Sequence, residues 1–303
     1  MASPSGKAAG LLRRVIWLAA IWLGGELVTG LELLPPGLGA GGAVQAAEPQ
    51  IVRYDLNATE YRQLVQNEQP NGYVPVTISS YDRQGTLNYA VIMERQPAPV
   101  PWAERHQLSP EEFQDNFDAL LAQGLRPISL SACQVRGDVK MSGIWQKLTG
   151  KWQARIGCTA EEFAALTAEY REFDLQPAVI SGYEQAGQPK FAVLWLPSED
   201  DTRTSLDVTS VQFNDQSRQL EKGRWAPQFI QPYTINGQTR LAAIWKQDRA
   251  GSVQSRSLAS TGEFNDLVDS MRRQGYLLRS LNGYARDTQT RLSASWSKQP
   301  GPR

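Results

Sequence analysis

From Ile51 onward, apolar and polar positions recur with a period of 50 to 52 residues. Gly72, Gly124, Asp174, Arg224 and Gly275 serve as anchors, separated by 52, 50, 50 and 51 residues. Eleven residues before each anchor stands an aromatic: Tyr61, Phe113, Phe163, Phe213 or Phe264. Three after it comes Pro75, Pro127, Pro177 or Pro227, with Leu278 breaking the series. Six after it the residue is aliphatic: Ile78, Leu130, Ile180, Ile230 and Leu281. At nine come Tyr81, Cys133, Tyr183, Tyr233 and Tyr284, and at thirteen Gly85, Gly137, Gly187 and Gly237, with Thr288 as the exception. At twenty-one come Met93, Trp145, Trp195, Trp245 and Trp296. The block aligns without a gap in every copy, so self-similarity is the dominant signal in the chain.

Before each anchor the spacing predicts a helix. Phe113, Phe117 and Leu120 recur at four and three, as do Phe163, Leu166 and Tyr170, which places them on one helical stripe. Ser109-Pro110-Glu111-Glu112 and Thr159-Ala160-Glu161-Glu162 supply a capping hydroxyl and first-turn acids. Gly72, Gly124 and Gly275 suit the left-handed residue that ends a helix. After the anchor come two runs of β-formers joined by a turn, clearest in Ile235-Asn236-Gly237-Gln238. The second run, such as Leu241-Ala242-Ala243-Ile244-Trp245, is apolar on both faces and reads as a strand covered on both sides. Trp102 and Trp152, in the segments between repeats, carry a fainter echo consistent with an added edge strand.

These observations imply an α+β fold of five tandem helix-plus-β-hairpin repeats, at approximately 51–95, 101–147, 151–197, 202–247 and 253–298. No single unit can bury its apolar face alone, so neighbours must stack, as an antiparallel-sheet ring or an open arc.

Ahead of the repeats, Lys7, Arg13 and Arg14 precede the apolar run from Val15 to Leu23, and small residues lead to Val44-Gln45-Ala46-Ala47. That order is expected of a signal peptide over 1–46, cleaved after Ala46 or Ala47, giving a secreted or periplasmic protein. The alternative is an N-terminal membrane anchor, since weak apolarity continues to Leu34, although Glu26 and Glu32 interrupt it. Without residues 1–46, the 31 basic and 31 acidic residues fall by three and two to 28 and 29, a formal charge of −1. The mature part is therefore expected to bind no nucleic acid and to span no membrane.

Candidate chemistry is sparse. Cys133 and Cys158 allow one disulfide in an oxidising compartment, against the alternative of two small buried hydrophobes. His106 is the only histidine and occupies the position held by Ile156 in the next copy. The only Ser-x-x-Lys, Ser295 to Lys298, has no companion Ser-Asp-Asn or Lys-Thr-Gly. Glu199-Asp200-Asp201 is a run rather than a set of spaced calcium ligands. Asn57-Ala58-Thr59 is a glycosylation sequon. No catalytic residue, metal site or cofactor is therefore expected. The aligned tryptophans and tyrosines, with Trp225 after the fourth anchor, are expected to pack repeat on repeat rather than bind.

Trp-x-x-Arg, a capped helix with leading Phe, Gly-Tyr, the hairpin Tyr and the closing Trp together resemble the bacterial tandem repeat domain, or polyglycine-hydrolase-like structural repeat. The resemblance is carried best by Trp102 to Trp145, Trp152 to Trp195 and Gly275 to Trp296, and it covers the repeat region. Such repeats often precede a serine-hydrolase domain of the β-lactamase type, so the resemblance implies the accessory part without the catalytic part. The expectation is an exported, non-catalytic binding or scaffold module for a peptide, glycan or protein partner. The alternatives are a hydrolase with an unrecognised site, or a purely structural envelope protein.

Overall fold

The computed structural model describes residues 49–248, 250–286 and 288–298. The expected leader, with its cleavage site, lies outside them. Each repeat is strand, helix, strand, strand. The first comprises β1 (Gln50–Leu56), α1 (Ala58–Glu68), β2 (Tyr73–Arg83) and β3 (Thr86–Arg95). The second comprises β4 (Trp102–Leu108), α2 (Pro110–Ala122), β5 (Arg126–Val135) and β6 (Asp138–Gln146). The third comprises β7 (Gln153–Cys158), α3 (Ala160–Arg171), β8 (Leu175–Gln185) and β9 (Gln188–Pro197). The fourth comprises β10 (Thr202–Val208), α4 (Ser210–Glu221), β11 (Trp225–Ile235) and β12 (Gln238–Gln247). The fifth comprises β13 (Val253–Ser260), α5 (Thr261–Arg273), β14 (Tyr276–Arg286) and β15 (Gln289–Lys298). No helix among the described residues is long and apolar enough to cross a membrane.

The strands of each repeat form a separate three-stranded antiparallel sheet, ordered β1-β3-β2 and equivalently in the others. The second hairpin strand is thus central, which explains its apolar residues on both faces. Tyr89 to Met93 and Ala192 to Trp195 are at most 1% exposed. The fainter echo between repeats is the edge strand. Each edge strand carries a bulge, as between Arg53 and Leu56 or Arg105 and Leu108, with a left-handed residue inside it. Such a kink blunts an edge that could otherwise recruit another strand.

Local chemistry fixes the helices. Asn57, Ser109, Thr159 and Thr209 each close a capping box with Glu60, Glu112, Glu162 and Gln212. The five anchors are all left-handed, including Asp174 and Arg224 at φ of 62° and 58°.

Each helix lies on one face of its own sheet, and in every repeat but the fourth the core it forms reaches the next sheet and fills the wedge between them. Phe113, Phe117 and Leu120 of α2 and Trp145 of β6 pack with Ala192 and Leu194 of the third sheet. Phe163 and Trp195 pack with Ala242 and Ile244 of the fourth, and Tyr61 and Met93 with Ile144 of the second. Phe264 and Trp296 of the fifth repeat pack with Ala90 and Ile92 of the first, so the cycle closes. The repeats are therefore blades of a ring rather than an open arc, and no ladder joins the sheets into a barrel. In the wedge between blades four and five, Ser293 and Ser295 take the positions held elsewhere by Ala90 and Ile92 or Ala242 and Ile244. The apolar cluster there contains fourth-blade residues only.

Around the axis, the inner strands β2, β5, β8, β11 and β14 present unpaired backbone groups, and buried groups of that kind need partners. A polar residue seven after each anchor supplies them. Ser131 Oγ accepts from Ser80 N at 2.8 Å, Ser181 Oγ from Ala132 N at 2.9 Å, and Gln231 Oε1 from Gly182 N at 2.8 Å. Ser79 Oγ accepts from Gly283 N at 3.1 Å, joining the last blade to the first. The fifth member is Asn282, facing Pro232, which has no N–H to give; its Nδ2 instead donates to Ile230 O at 3.0 Å. The same logic explains Leu278. Where the other blades use proline, Leu278 retains an N–H, and it donates to Gln50 Oε1 of the first blade at 3.0 Å.

Candidate functional site

The recurring aromatics are consumed by this packing. Tyr61, Phe113, Phe163, Phe213 and Phe264 of the helices, and Trp145, Trp195, Trp245 and Trp296 of the central strands, are all at most 4% exposed. Within blades, Phe163 stacks on Trp195 at 6.0 Å and Phe213 on Trp245 at 5.7 Å. Tyr81, Tyr183, Tyr233 and Tyr284 are buried in the inner strands. The Tyr81 ring sits on Gly283 of the last blade and the Tyr233 ring on Gly182, with no room for a Cβ at either glycine.

The expected Cys133–Cys158 disulfide is absent, and both thiols are free. Cys133 stands on inner strand β5, whereas Cys158 ends edge strand β7 of the next blade and donates to Phe191 O at 3.3 Å. A short separation along the chain does not bring them together, because the fold sends one to the axis and the other to the rim. Burial pushes the Cys158 thiol up to about 12, and that of Cys133 higher still, opposite to the shift an activated nucleophile requires.

Ser295 is 1% exposed and donates to Gln228 O, while Lys298 lies over the Tyr276 ring at 5.2 Å. The Ser-x-x-Lys pair is thus divided between two structural tasks. His106 Nδ1 lies 2.8 Å from Glu104 Oε2, and its ring meets Tyr61 and Tyr89 edge-on at 5.1 and 5.4 Å. This small polar cluster lies in the first wedge, where burial holds both phenols protonated. No hydroxyl or thiol nucleophile is hydrogen-bonded to the imidazole among the described residues. No group of three or more metal-ligating side chains occurs among the described residues.

One open cleft of about 290 Å³ is lined by a buried, unsatisfied polar atom, Trp245 Nε1, beside a departure from the repeat pattern. It lies in the fourth blade between β10 and α4, floored by Trp245 and walled by Ser205, Gln216 and Gln219. Comparison with the other blades explains it. Nineteen residues before the anchors stand Arg53, Arg105, Arg155 and Arg256, but Ser205 in the fourth copy. Arg105 Nε reaches across to Asn116 of α2 at 2.9 Å, and Arg256 Nε to Glu263 of α5 at 2.7 Å. Ser205, much shorter, meets Gln216 at 2.6 Å and leaves the arginine's volume empty. In the third blade, Leu166 packs into the core and Tyr170 meets Trp195 edge-on at 5.2 Å. Their counterparts are Gln216 and Leu220, beneath which Trp245 remains fully buried.

The indole of this blade lacks a partner, as does that of Trp145 in the second blade. Trp195 Nε1 donates to Thr167 Oγ1 at 3.0 Å, but Trp245 Nε1 has no partner, and neither does Ser217 Oγ at the position equivalent to Thr167. Beside the cleft, Leu220 and Trp225 both pack against the fourth-blade core, and the Trp225 ring is covered by the Arg203 guanidinium at 4.5 Å. A second cleft, about 340 Å³, opens between blades four and five. Among its polar groups, Tyr284 OH pairs with Thr239 Oγ1 at 2.6 Å and Arg291 with Gln289 at 2.8 Å, and among the described residues none of them is a buried atom without a partner. The smaller cleft is the stronger candidate, because the buried Trp245 Nε1 in its lining has no partner, a cost that a ligand can relieve.

Sequence reading assigned no site here. The signal was present as one clear break in a column, Ser205 where the other four copies carry arginine, with Gln216 beside it where three copies carry leucine.

No curated protein matches the chain. The family model described as polyglycine hydrolase-like, structural repeat, matches five times in tandem, at residues 48–96, 99–148, 149–198, 201–248 and 251–299. Those segments coincide with the five blades and cover most of the chain, so it belongs to the polyglycine hydrolase-like structural-repeat family.

Proposed function

We propose that this chain is an exported, non-catalytic binding module, a closed ring that presents ligand-contacting residues where its blades differ. The observation that carries this reading is the contrast between columns. The recurring aromatics are buried in wedges or around the axis, whereas the fourth-blade cleft opens where Ser205 replaces the arginine of the other copies. Functional groups in repeat proteins are expected at variable positions on a conserved scaffold. The candidate chemistry supports the same reading, since the thiols, Ser295 and Lys298 are committed to packing and hydrogen bonds.

The test is to add the labelled full-length chain to isolated envelope and extracellular material from its host. Saturable binding, with no turnover of ester, amide or β-lactam substrates, is the expected result. Substrate turnover that disappears in His106→Ala or Ser295→Ala would overturn the reading in favour of an enzyme. Binding that never saturates would favour a purely structural role.

A further inference from the structure

We infer that the fourth-blade cleft binds an uncharged sugar ring of a glycan, an assignment that rests on the binding-module reading above. The walls are built for a neutral ligand rich in hydroxyls. Gln219 offers an amide with both donors and an acceptor, Gln216, whose oxygen accepts from Ser205, offers its amide donors, and Thr204 adds a hydroxyl. The Trp245 indole contributes a buried donor that no protein atom satisfies. No carboxylate lines the cleft. Its only cation, Arg203, is engaged over the Trp225 ring, which leaves no paired guanidinium claw for an anion. Leu220 gives the apolar surface against which the carbon-bearing face of a sugar ring can lie. At about 290 Å³ the space is at the lower end for ligand pockets, suited to a compact ring rather than a folded peptide segment. An extended peptide would also need a straight sheet edge, and β10 is bulged between Ser205 and Val208.

The experiment uses the 15N-labelled full-length chain and four probes: cellotetraose, maltotetraose, mannotetraose and tetra-N-acetylchitotetraose. The readout is the tryptophan indole N–H resonances. At least one probe is expected to shift the Trp245 indole signal saturably. Ser205→Arg places in the cleft the arginine that the other blades carry there, and is expected to weaken that probe at least about tenfold without lowering the melting temperature. Should Ser205→Arg disturb folding, Gln216→Leu, which restores the third blade's residue, is expected to weaken the same probe. The assignment is overturned if no probe moves the Trp245 signal, or if affinity is unchanged in the folded variants. It is also overturned if a glutamate-rich peptide moves the signal while every sugar fails. Saturable envelope binding that persists in Ser205→Arg would remove this site and leave the binding module standing. Absence of any saturable binding by the wild-type chain would remove both.

Discussion

Replacing Gly283 by alanine probes the junction at which the last blade meets the first. A Cβ at this glycine would stand 2.2 and 2.3 Å from two carbons of the Tyr81 ring and 2.8 Å from a third. Ordinary carbon contacts lie near 3.5–4.0 Å. The ring cannot simply swing aside, because the Tyr81 hydroxyl is held by Asp55 at 2.8 Å. Overpacking in well-packed cores costs about 1–3 kcal/mol. An overlap of more than an ångström against a tethered ring belongs at the upper end, about 3 kcal/mol. For a domain of this size, that lowers the melting temperature by roughly 6–12 °C. The assay is thermal unfolding of the full-length chain followed by circular dichroism. Gly182→Ala should be somewhat milder, since its nearest Tyr233 atom would lie at 2.6 Å. Gly262→Ala is the control; it sits in the first turn of α5 with nothing within 4 Å, and should change stability by less than about 0.5 kcal/mol. If Gly283→Ala proved as harmless as Gly262→Ala, Tyr81 would not be seated on the fifth blade, and the reasoning would fail.

Removing an inner-strand latch, Ser181→Ala, leaves Ala132 N without its partner and should cost about 1–3 kcal/mol in denaturant unfolding; a change below about 0.5 kcal/mol would show the latch to be idle. The fourth wedge, where serines replace aliphatic residues, forgoes about 1.5–3 kcal/mol for each aliphatic side chain not buried there. Hydrogen exchange should therefore show β11 and β14 opening before β2 and β5, and uniform protection around the axis would contradict this. Burial raises the phenol pKa values of Tyr61, Tyr81, Tyr89 and Tyr233, and pushes Tyr183 up to about 12. A raised folded value means stability that is intact below the unfolded pKa of about 10 and is lost as pH climbs through the folded one. Absorbance titration should thus show these tyrosines ionising only with unfolding, between about pH 10 and 12; smooth titration in the folded state would refute their burial.

Much of the fold was legible because packing repeats its demands. A wedge between helix and sheet needs Phe213 beside Trp245 as it needs Phe163 beside Trp195, so identical pressures wrote identical columns. Ring closure was not legible. Its latches are Ser79, Ser131, Ser181, Gln231 and Asn282, chemically varied because each answers a different backbone partner, Pro232 in the case of Asn282. Leu278 looked like an imperfect repeat, yet it marks the closure, since only its N–H calls for Gln50. The edge strands were faint because a bulged, half-exposed strand tolerates polar residues such as those of Thr202–Val208. The cysteines misled because the distance between two residues in a repeat fold depends on column as much as on separation. The cleft escaped notice because absence of a side chain, at Ser205, leaves no motif.

The closed ring is tested most directly by the nuclear Overhauser effect between the Tyr81 ring protons and the Gly283 α-protons. These residues come from the first and last blades, and the structure brings them into van der Waals contact. A strong cross-peak, with a Gly283 α-proton moved upfield by the aromatic ring, is the expected result. No cross-peak and an unshifted Gly283 would mean that the five blades form an open arc.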